Sequence, residues 1–194
     1  ALSASGLFSD KIGGPSVFPP QPDGVMTLGQ SRREWRPSIG PDRYRRGLYT
    51  FFWRATPHPG LTVFDAPEAN SACTRRIRSN TPLQALTLLN DEGFYEIAEG
   101  LAQRVLREGP ATNAERTEYA FRLCLARAPS PSEKQRLTEL LDQQISVAEA
   151  ASDPENSRPG PAGAKSAKSR SNELGAWITL ARVLLNLDEC ITRE

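Results

Sequence analysis

The chain has 194 residues, of which 38% are hydrophobic and 24% are charged, and its formal net charge is +1. This composition suits one globular domain, and no run approaches the roughly 20 apolar residues that a membrane-spanning helix needs. A nearly neutral chain also lacks the basic surface typical of nucleic-acid binding. We therefore expect neither a membrane span nor a nucleic-acid partner.

Glycine and proline dominate the first part of the chain. They impose an extended, turning path that can continue neither a helix nor a central strand. We therefore expect residues 1–41 to form an irregular segment that wraps around the rest of the protein. The glycines and prolines concerned are Gly13, Gly14, Pro15, Pro19, Pro20, Pro22, Gly24 and Pro37.

The stretch Tyr44–Trp53 permits two interpretations. Tyr44, Leu48 and Phe51 are spaced for one face of a helix, whereas the aromatic richness of the stretch is typical of a strand. The spacing favours a helix.

A proline-started helix follows in the middle of the chain. Asn80 or Thr81 can accept a hydrogen bond from the first-turn amides, and Pro82 suits the first helical position. Asn80 and Gln84 are interpreted as structural, as a cap and a helix-face group. The apolar residues of this helix are Leu83, Leu86 and Leu89.

Asn90 and Asp91 interrupt that helix and cap the next one. An apolar stripe with helical spacing then runs until Gly109 and Pro110, which predicts an amphipathic helix. The stripe consists of Phe94, Ile97, Ala98, Leu101 and Val105.

Two capping boxes predict a helical hairpin, with one helix through Ala126 and a second through about Ala151. The capping residues are Thr112 with Glu115, and Ser130 with Glu133.

The last part of the chain contains a segment without large apolar residues. Because residues 154–171 cannot bury enough surface to order themselves, we expect a disordered insertion there. Residues 172–194 should then form a helix that docks on the helical core, 42–153, because a lone helix of that length is marginal in water. The sequence thus predicts a mainly α protein, with an irregular N-terminal segment followed by a bundle of about five helices. The apolar residues of the last helix are Leu174, Trp177, Ile178, Ala181 and Leu185.

The residues that carry metal or cofactor chemistry are few. Cys73, Cys124 and Cys190 lie far apart, without the close pairs that haem attachment or a zinc knuckle requires. We interpret all three as small buried hydrophobic residues. His58, the only histidine, lies between two prolines and is expected to be an exposed loop residue. Glycine-rich phosphate loops are absent, so the sequence implies no nucleotide cofactor.

Charge is distributed unevenly. Arg32–Arg78 contains ten arginines, no lysine and four acids, whereas Asp91–Asp153 contains twelve acids and seven bases. Either the two parts pair with each other, or the arginines line an anion site, since guanidinium binds oxyanions with a geometry that lysine lacks. The candidate clamp or anion-binding residues are Arg45, Arg46, Arg75, Arg76 and Arg78.

The carboxylate of Asp65, in the tetrapeptide FDAP, also has two interpretations. It could act as a general base, but an aspartate before Ala-Pro is more often a turn or capping residue. We favour the structural interpretation.

The run TRRIRSNTPLQALTLL at Thr74–Leu89, together with FDAP, Cys73 and YRRGLYTFFWR at Tyr44–Arg54, resembles a planctomycete-specific C-terminal domain of unknown function, the PSD-one family. The resemblance implies that the chain is the C-terminal part of a longer, extracytoplasmic protein that also carries cytochrome-C-type domains. It implies the upstream domains as partners and names no reaction or cofactor.

Two functional hypotheses remain. The first is a non-catalytic helical module for assembly or partner binding within a larger protein that the resemblance places in the periplasm or elsewhere outside the cytoplasm. The second is an arginine-lined module that binds an anion such as a sulfated or acidic polysaccharide.

Overall fold

A computed structural model of the chain describes residues 1–27, 34–69, 72–75, 79–150 and 162–192. Within these ranges there are two isolated parallel bridges and no β-strand, so the mainly α prediction is confirmed. The α-helices are α1 (Leu2–Ser5), α2 (Pro59–Val63), α3 (Pro82–Asn90), α4 (Glu92–Glu108), α5 (Asn113–Leu125), α6 (Pro131–Ala150), α7 (Ala162–Leu185) and α8 (Asp188–Ile191). Short 3-10 turns are formed by Val25–Thr27, Gly40–Tyr44 and Gly47–Tyr49.

Helix α7 lies at the centre of the bundle. It packs against both α4 and α6, and α5 contacts all three of these helices. Leu101 of α4, Leu141 of α6 and Leu184 of α7 are completely buried and belong to one hydrophobic cluster. Trp177 of α7 and Phe121 of α5 are the largest side chains of this core. The bundle is therefore held together by apolar burial around one helix.

Helix α4 forms as the sequence predicts. Asp91 Oδ1 accepts hydrogen bonds from the amides of Gly93 and Phe94, which caps the helix N-terminus. Its buried positions follow the predicted stripe, and the helix ends at Glu108, before Gly109. The buried residues are Ile97, Ala98, Leu101, Ala102 and Val105.

The predicted hairpin of α5 and α6 is confirmed. Thr112 Oγ1 accepts from the Glu115 amide, and Ser130 Oγ accepts from the Glu133 amide. The carboxylate of Glu133 accepts in return from the Ser130 amide, which completes the second capping box. Arg127 also donates to Glu133, and these hydrogen bonds lower the pKa of Glu133 to about 2.

Helix α7 starts earlier than the sequence suggested. Residues 162–171, expected to belong to a disordered insertion, are helical, while 154–161 lie outside the described residues. The added residues are mostly alanine, lysine and serine, and a helix already nucleated by the docked part of α7 extends readily through alanine and lysine. The lack of large apolar residues in 162–171 therefore does not prevent these residues from forming a helix.

The prediction of a helix over Tyr44–Trp53 is wrong. Gly47–Tyr49 form only a 3-10 turn, and the chain then runs extended beside the N-terminal segment. The amide of Val17 donates to the Tyr49 carbonyl, and the amide of Phe51 donates to the Val17 carbonyl, both at 2.8 Å. In a helix these backbone amides and carbonyls would hydrogen-bond within the helix. Here they bond to the irregular N-terminal segment instead, and this pairing outweighs the helical spacing of the side chains.

The N-terminal segment wraps around the bundle as predicted. Helix α1 packs on α4, where Arg104 donates to the carbonyls of Ser3 and Ala4. Leu7 lies directly over Gly100, because a Cβ at that glycine would stand 2.7 Å from Leu7 Cδ1. The contact therefore requires glycine at this position of α4.

The expectation that His58 is exposed is wrong. His58 is buried and caps α2, since its Nδ1 accepts from the Gly60 amide at 3.1 Å. The proton consequently resides on Nε2, which donates to the Pro20 carbonyl at 3.0 Å. The Trp35 ring lies 5.7 Å from the imidazole. Burial lowers the pKa of His58, so the ring is neutral at pH 7.

This environment makes folding stability depend on pH. The unfolded chain binds a proton at His58 near its ordinary pKa of 6.5, whereas the folded protein resists protonation. Stability should therefore be constant above pH 7 and fall as the pH drops below about 6.5, with a slope of at most about 1.4 kcal/mol per pH unit. Urea unfolding between pH 5 and 8 measures this slope. Because His58 is the only histidine, the variant His58→Asn, which retains a capping acceptor, should flatten it. An equal slope in both proteins would contradict the assignment.

Candidate functional site

A partly buried polar cluster connects α2 to the start of α3. Asp65 Oδ2 accepts from the Ser79 amide at 2.9 Å and from the Ser79 hydroxyl at 2.7 Å. Gln84 Nε2 donates to the Val63 carbonyl at 2.9 Å and to Ser79 Oγ at 3.0 Å, and it lies 3.5 Å from Asp65 Oδ2. The structure thus brings two of the predicted structural residues, Asp65 and Gln84, into one network that fixes the α2–α3 connection.

Gln84 is the central member of this cluster. It is 1% exposed, and its Oε1 accepts from the Thr81 amide at 3.1 Å. Thr81 Oγ1 accepts from the Gln84 amide in return, so the two residues form a capping box. Thr81 rather than Asn80 therefore caps α3. Asp65 has positive φ, a conformation that aspartate tolerates better than most residues.

The other predicted structural residues lie apart from this cluster. The side-chain amide of Asn80 donates to Asp188 of α8, which ties the start of α3 to the end of the chain. Asn90, the last residue of α3, donates to the Leu86 carbonyl, while Asp91 caps α4. These residues serve to join and end helices.

Three of the five candidate arginines, Arg45, Arg46 and Arg75, lie in the described part of the chain. Arg45 is buried, and its Nη2 donates to the carbonyls of Lys11 and Gly13. Arg46 donates to the Asp10 carbonyl, and its guanidinium lies 5.0 Å from the centre of the Phe8 ring. Both residues thus hold the N-terminal segment.

The arginines that precede α3 have a different setting. Arg75 is exposed, and Arg76 and Arg78 lie outside the described residues. Arg75 is therefore not a buried clamp, which is one of the two roles considered for these arginines.

An ion pair that the sequence did not predict joins the arginine-rich and acidic parts of the chain. Arg43 Nε donates to Glu96 Oε2 at 2.8 Å, and Arg43 Nη2 lies 2.5 Å from Glu96 Oε1 and 3.3 Å from Glu92. The hydroxyl of Tyr44 also donates to Glu96 at 3.1 Å. Hydrogen bonding from Arg43 lowers the pKa of Glu96, and burial raises the pKa of Tyr44. The charge asymmetry indicated such pairing, but it could not identify which arginine pairs.

The expected apolar side of α3 is exposed. Leu83 is 59% and Leu86 is 56% exposed, whereas Gln84 and Leu88 are buried. Tyr95 lies beyond the C-terminal end of α3 and is also exposed, with the Arg182 guanidinium 5.9 Å from the centre of its ring. Helix α3 thus buries a glutamine and exposes two leucines one turn apart, the opposite of the usual arrangement.

The cysteines differ from the expectation that all three are buried. Cys124 is buried in the core, Cys190 is half-buried and Cys73 is exposed. Burial raises the pKa of Cys124 to about 12. Its thiol therefore behaves as a core side chain.

An open groove of about 490 Å³ lies between α4, α5 and α7. Leu106 and Leu174 supply apolar surface, and Arg116 lies 3.4 Å from Glu173 at its border. None of the predicted site residues lines it. Among the described residues, no group of three or more His, Cys, Asp or Glu side chains is arranged to hold a metal ion. No helix within those residues is long and apolar enough to cross a membrane.

Helix α3 buries a glutamine and exposes leucines, and this orientation predicts how substitutions change stability. Replacing Gln84 with leucine leaves the Val63 carbonyl and the Ser79 hydroxyl without a donor, so Gln84→Leu should lose about 2–3 kcal/mol of unfolding free energy. The reverse exchange on the same helix, Leu83→Gln, should change it by less than about 0.5 kcal/mol. Urea denaturation of both variants measures the difference. Similar losses in the two would show that α3 is oriented otherwise.

A second pair of variants compares the two arginine environments. Arg43→Ala leaves the half-buried Glu96 without its main partner and should lose about 1–2 kcal/mol. Arg75→Ala removes an exposed side chain and should change stability by less than about 0.5 kcal/mol. Thermal and urea unfolding provide the measurement. A larger loss in Arg75→Ala than in Arg43→Ala would restore Arg75 as the structural clamp.

Comparison with known proteins identifies a family. A family model described as PSD1, protein of unknown function (DUF1553), matches residues 1–141 of the chain, which is well over half of its length. Searches of curated proteins and of solved structures found no match. The resemblance drawn from the central motif is thereby confirmed. The chain belongs to the PSD1 family of proteins of unknown function.

Proposed function

We propose that this chain is a non-catalytic partner-binding module that docks another protein through α3. The single observation that carries the proposal is the polarity of that helix, which exposes Leu83 and Leu86 and buries Gln84. Exposed leucines at helical spacing without a cover are typical of a surface that is buried in a complex.

The composition of α3 supports the same proposal. Its nine residues, PLQALTLLN, include no charged side chain. A solvent-facing helix ordinarily carries charges, whereas the central part of a protein interface is depleted of them. The remaining polar groups of α3 are engaged locally, because Thr87 donates to the Leu83 carbonyl and Asn90 donates to the Leu86 carbonyl.

The proposed occupant is an amphipathic helix of a partner protein, with acidic residues at the end that meets the N-terminus of α3. Leu83 and Leu86, one turn apart, form a ridge that fits between the side chains of a second helix. The positive end of the α3 dipole favours acidic residues there.

We further propose that this docking serves assembly of a larger, extracytoplasmic protein, with the upstream domains or a separate chain supplying the helix. The family match supports this only indirectly, since the family has no assigned function. A second candidate function is binding of an anion, such as an acidic polysaccharide, and the buried guanidinium of Arg45 supports it.

Site-specific photocross-linking tests the docking surface. A photoreactive amino acid at position 86 should yield one discrete adduct in cells that express the native protein. Peptide mapping should locate the cross-link on an acidic-flanked amphipathic helix of the partner. Position 147 is the matched control, because Val147 on α6 is also apolar and is 62% exposed.

The double variant Leu83→Gln/Leu86→Gln leaves the polar cluster around Gln84 intact, so its melting temperature should equal that of the wild type. A photoreactive probe at position 90 should form the adduct in the wild type and should not form it in the double variant. Equal adducts from positions 86 and 147 would refute docking on α3. A cross-link to a second copy of this chain would replace the proposed partner with a homodimer.

A further inference from the structure

Arg45 is an unusual side chain because it is almost completely buried beneath an exposed loop. The residue is 5% exposed, whereas every residue from Lys11 to Ser16, here termed the Lys11–Ser16 loop, is exposed. Arg45 Nη2 donates to the Lys11 carbonyl at 2.8 Å and to the Gly13 carbonyl at 2.7 Å. Its guanidinium carbon lies 3.8 Å from the centre of the Tyr49 ring.

Two of the three guanidinium nitrogens lack an acceptor. Nε and Nη1 of Arg45 are buried and have no hydrogen-bond partner among the described residues. A buried cationic donor without a partner is costly, and buried polar groups almost always find one. A missing acceptor at this position is therefore expected, and a negatively charged acceptor would also neutralise the charge.

The cationic side chain of Lys11 lies beside Arg45 Nη1. A Cβ placed on Gly14 would stand 3.8 Å from Arg45 Nη1 and 3.9 Å from Lys11 Cε, so the two side chains line one notch that glycine leaves open. Gly13 and Gly14 have φ of 78° and 89°, a conformation that side chains other than glycine rarely adopt. Nothing packs within 4 Å of the corresponding position on Gly13, but its amide donates to the Tyr49 hydroxyl at 3.0 Å and its carbonyl accepts from Arg45, so Gly13 is held in place while Gly14 is not held in this way.

The surrounding charges leave an excess of positive charge. Lys11 Nζ lies 3.5 Å from Asp42 Oδ1, in an ion pair that is open to solvent. Arg46 donates to the backbone carbonyl of Asp10, whose side chain is exposed. The three cations are Lys11, Arg45 and Arg46, and the two acids are Asp10 and Asp42. Neither acid is hydrogen-bonded to Arg45.

We propose that an oxyanion binds at this notch, where it bridges Arg45 Nη1 and the Lys11 ammonium and displaces Asp42 from Lys11. Outward movement of Gly14 admits it, while the hydrogen bonds of Gly13 are kept. The ligand class is sulfate, phosphate or carboxylate, either free or as a substituent of a larger molecule. The proposal deepens the anion-binding candidate function and is independent of docking on α3.

Amide chemical shifts of the isotope-labelled chain test the site directly. Sodium sulfate, sodium phosphate and sodium acetate are titrated separately, with sodium chloride adjusted to keep ionic strength constant. At least one of the three should shift the amides of Gly13 and Gly14 along a saturating curve, and the anion that binds most tightly identifies the ligand class.

Two variants should change the dissociation constant in opposite directions. Lys11→Gln removes one cation and should weaken binding about fivefold, whereas Asp42→Asn removes the competing carboxylate and should tighten it by up to about fivefold. Lys134→Gln removes an equally paired, partly exposed cation on α6 and should have no effect. Shifts that do not saturate overturn the proposal, as do equal effects of Lys11→Gln and Lys134→Gln or weaker binding in Asp42→Asn.

Discussion

The structure depends on satisfying the backbone of an N-terminal segment that has almost no secondary structure of its own. Backbone carbonyls that leave water need donors, and here side chains supply them. Arg45, Arg46 and Arg104 donate to carbonyls of the first thirteen residues, while His58 donates to Pro20. Arginine suits this task because one guanidinium can reach two successive carbonyls, which a single ammonium does less well. The absence of lysine from Arg32–Arg78 is consistent with such a role.

The polar cluster around Gln84 acts at the other side of the bundle. It fixes the connection between α2 and α3 through internal hydrogen bonds, so polar contacts anchor α3 in addition to the buried Leu88. A helix anchored in this way can leave its leucines exposed without losing its position. The same arrangement therefore explains both the stability of α3 and the surface on which partner binding is proposed.

The helices with strong local signals could be predicted from the sequence. The aspartate cap and apolar stripe of α4 and the two capping boxes of the hairpin depend on residues within a few positions of each other. The errors arose where distant segments decide the outcome. Tyr49 pairs with Val17 instead of continuing a helix, and the Pro20 carbonyl accepts a hydrogen bond from His58 in the interior.

The candidate site was predictable only in part. The motif around Asp65 and Gln84 indicated structural residues, and the structure places these two together. The sequence could not identify Arg43 as the partner of Glu96, because 53 residues separate them. It also could not show that the leucines of α3 face solvent, since helical spacing reveals that residues share a face but not what that face contacts.

The contact between α1 and α4 has a consequence for how the chain folds. Ala4 and Arg104, which join these helices, are 100 residues apart. During synthesis the N-terminal segment leaves the ribosome long before the helix that receives it exists. Its carbonyls stay hydrated and Leu7 stays exposed until α4 has emerged and packed. Closing so long a loop costs entropy that no local contact offsets, so we expect this segment to dock late in folding.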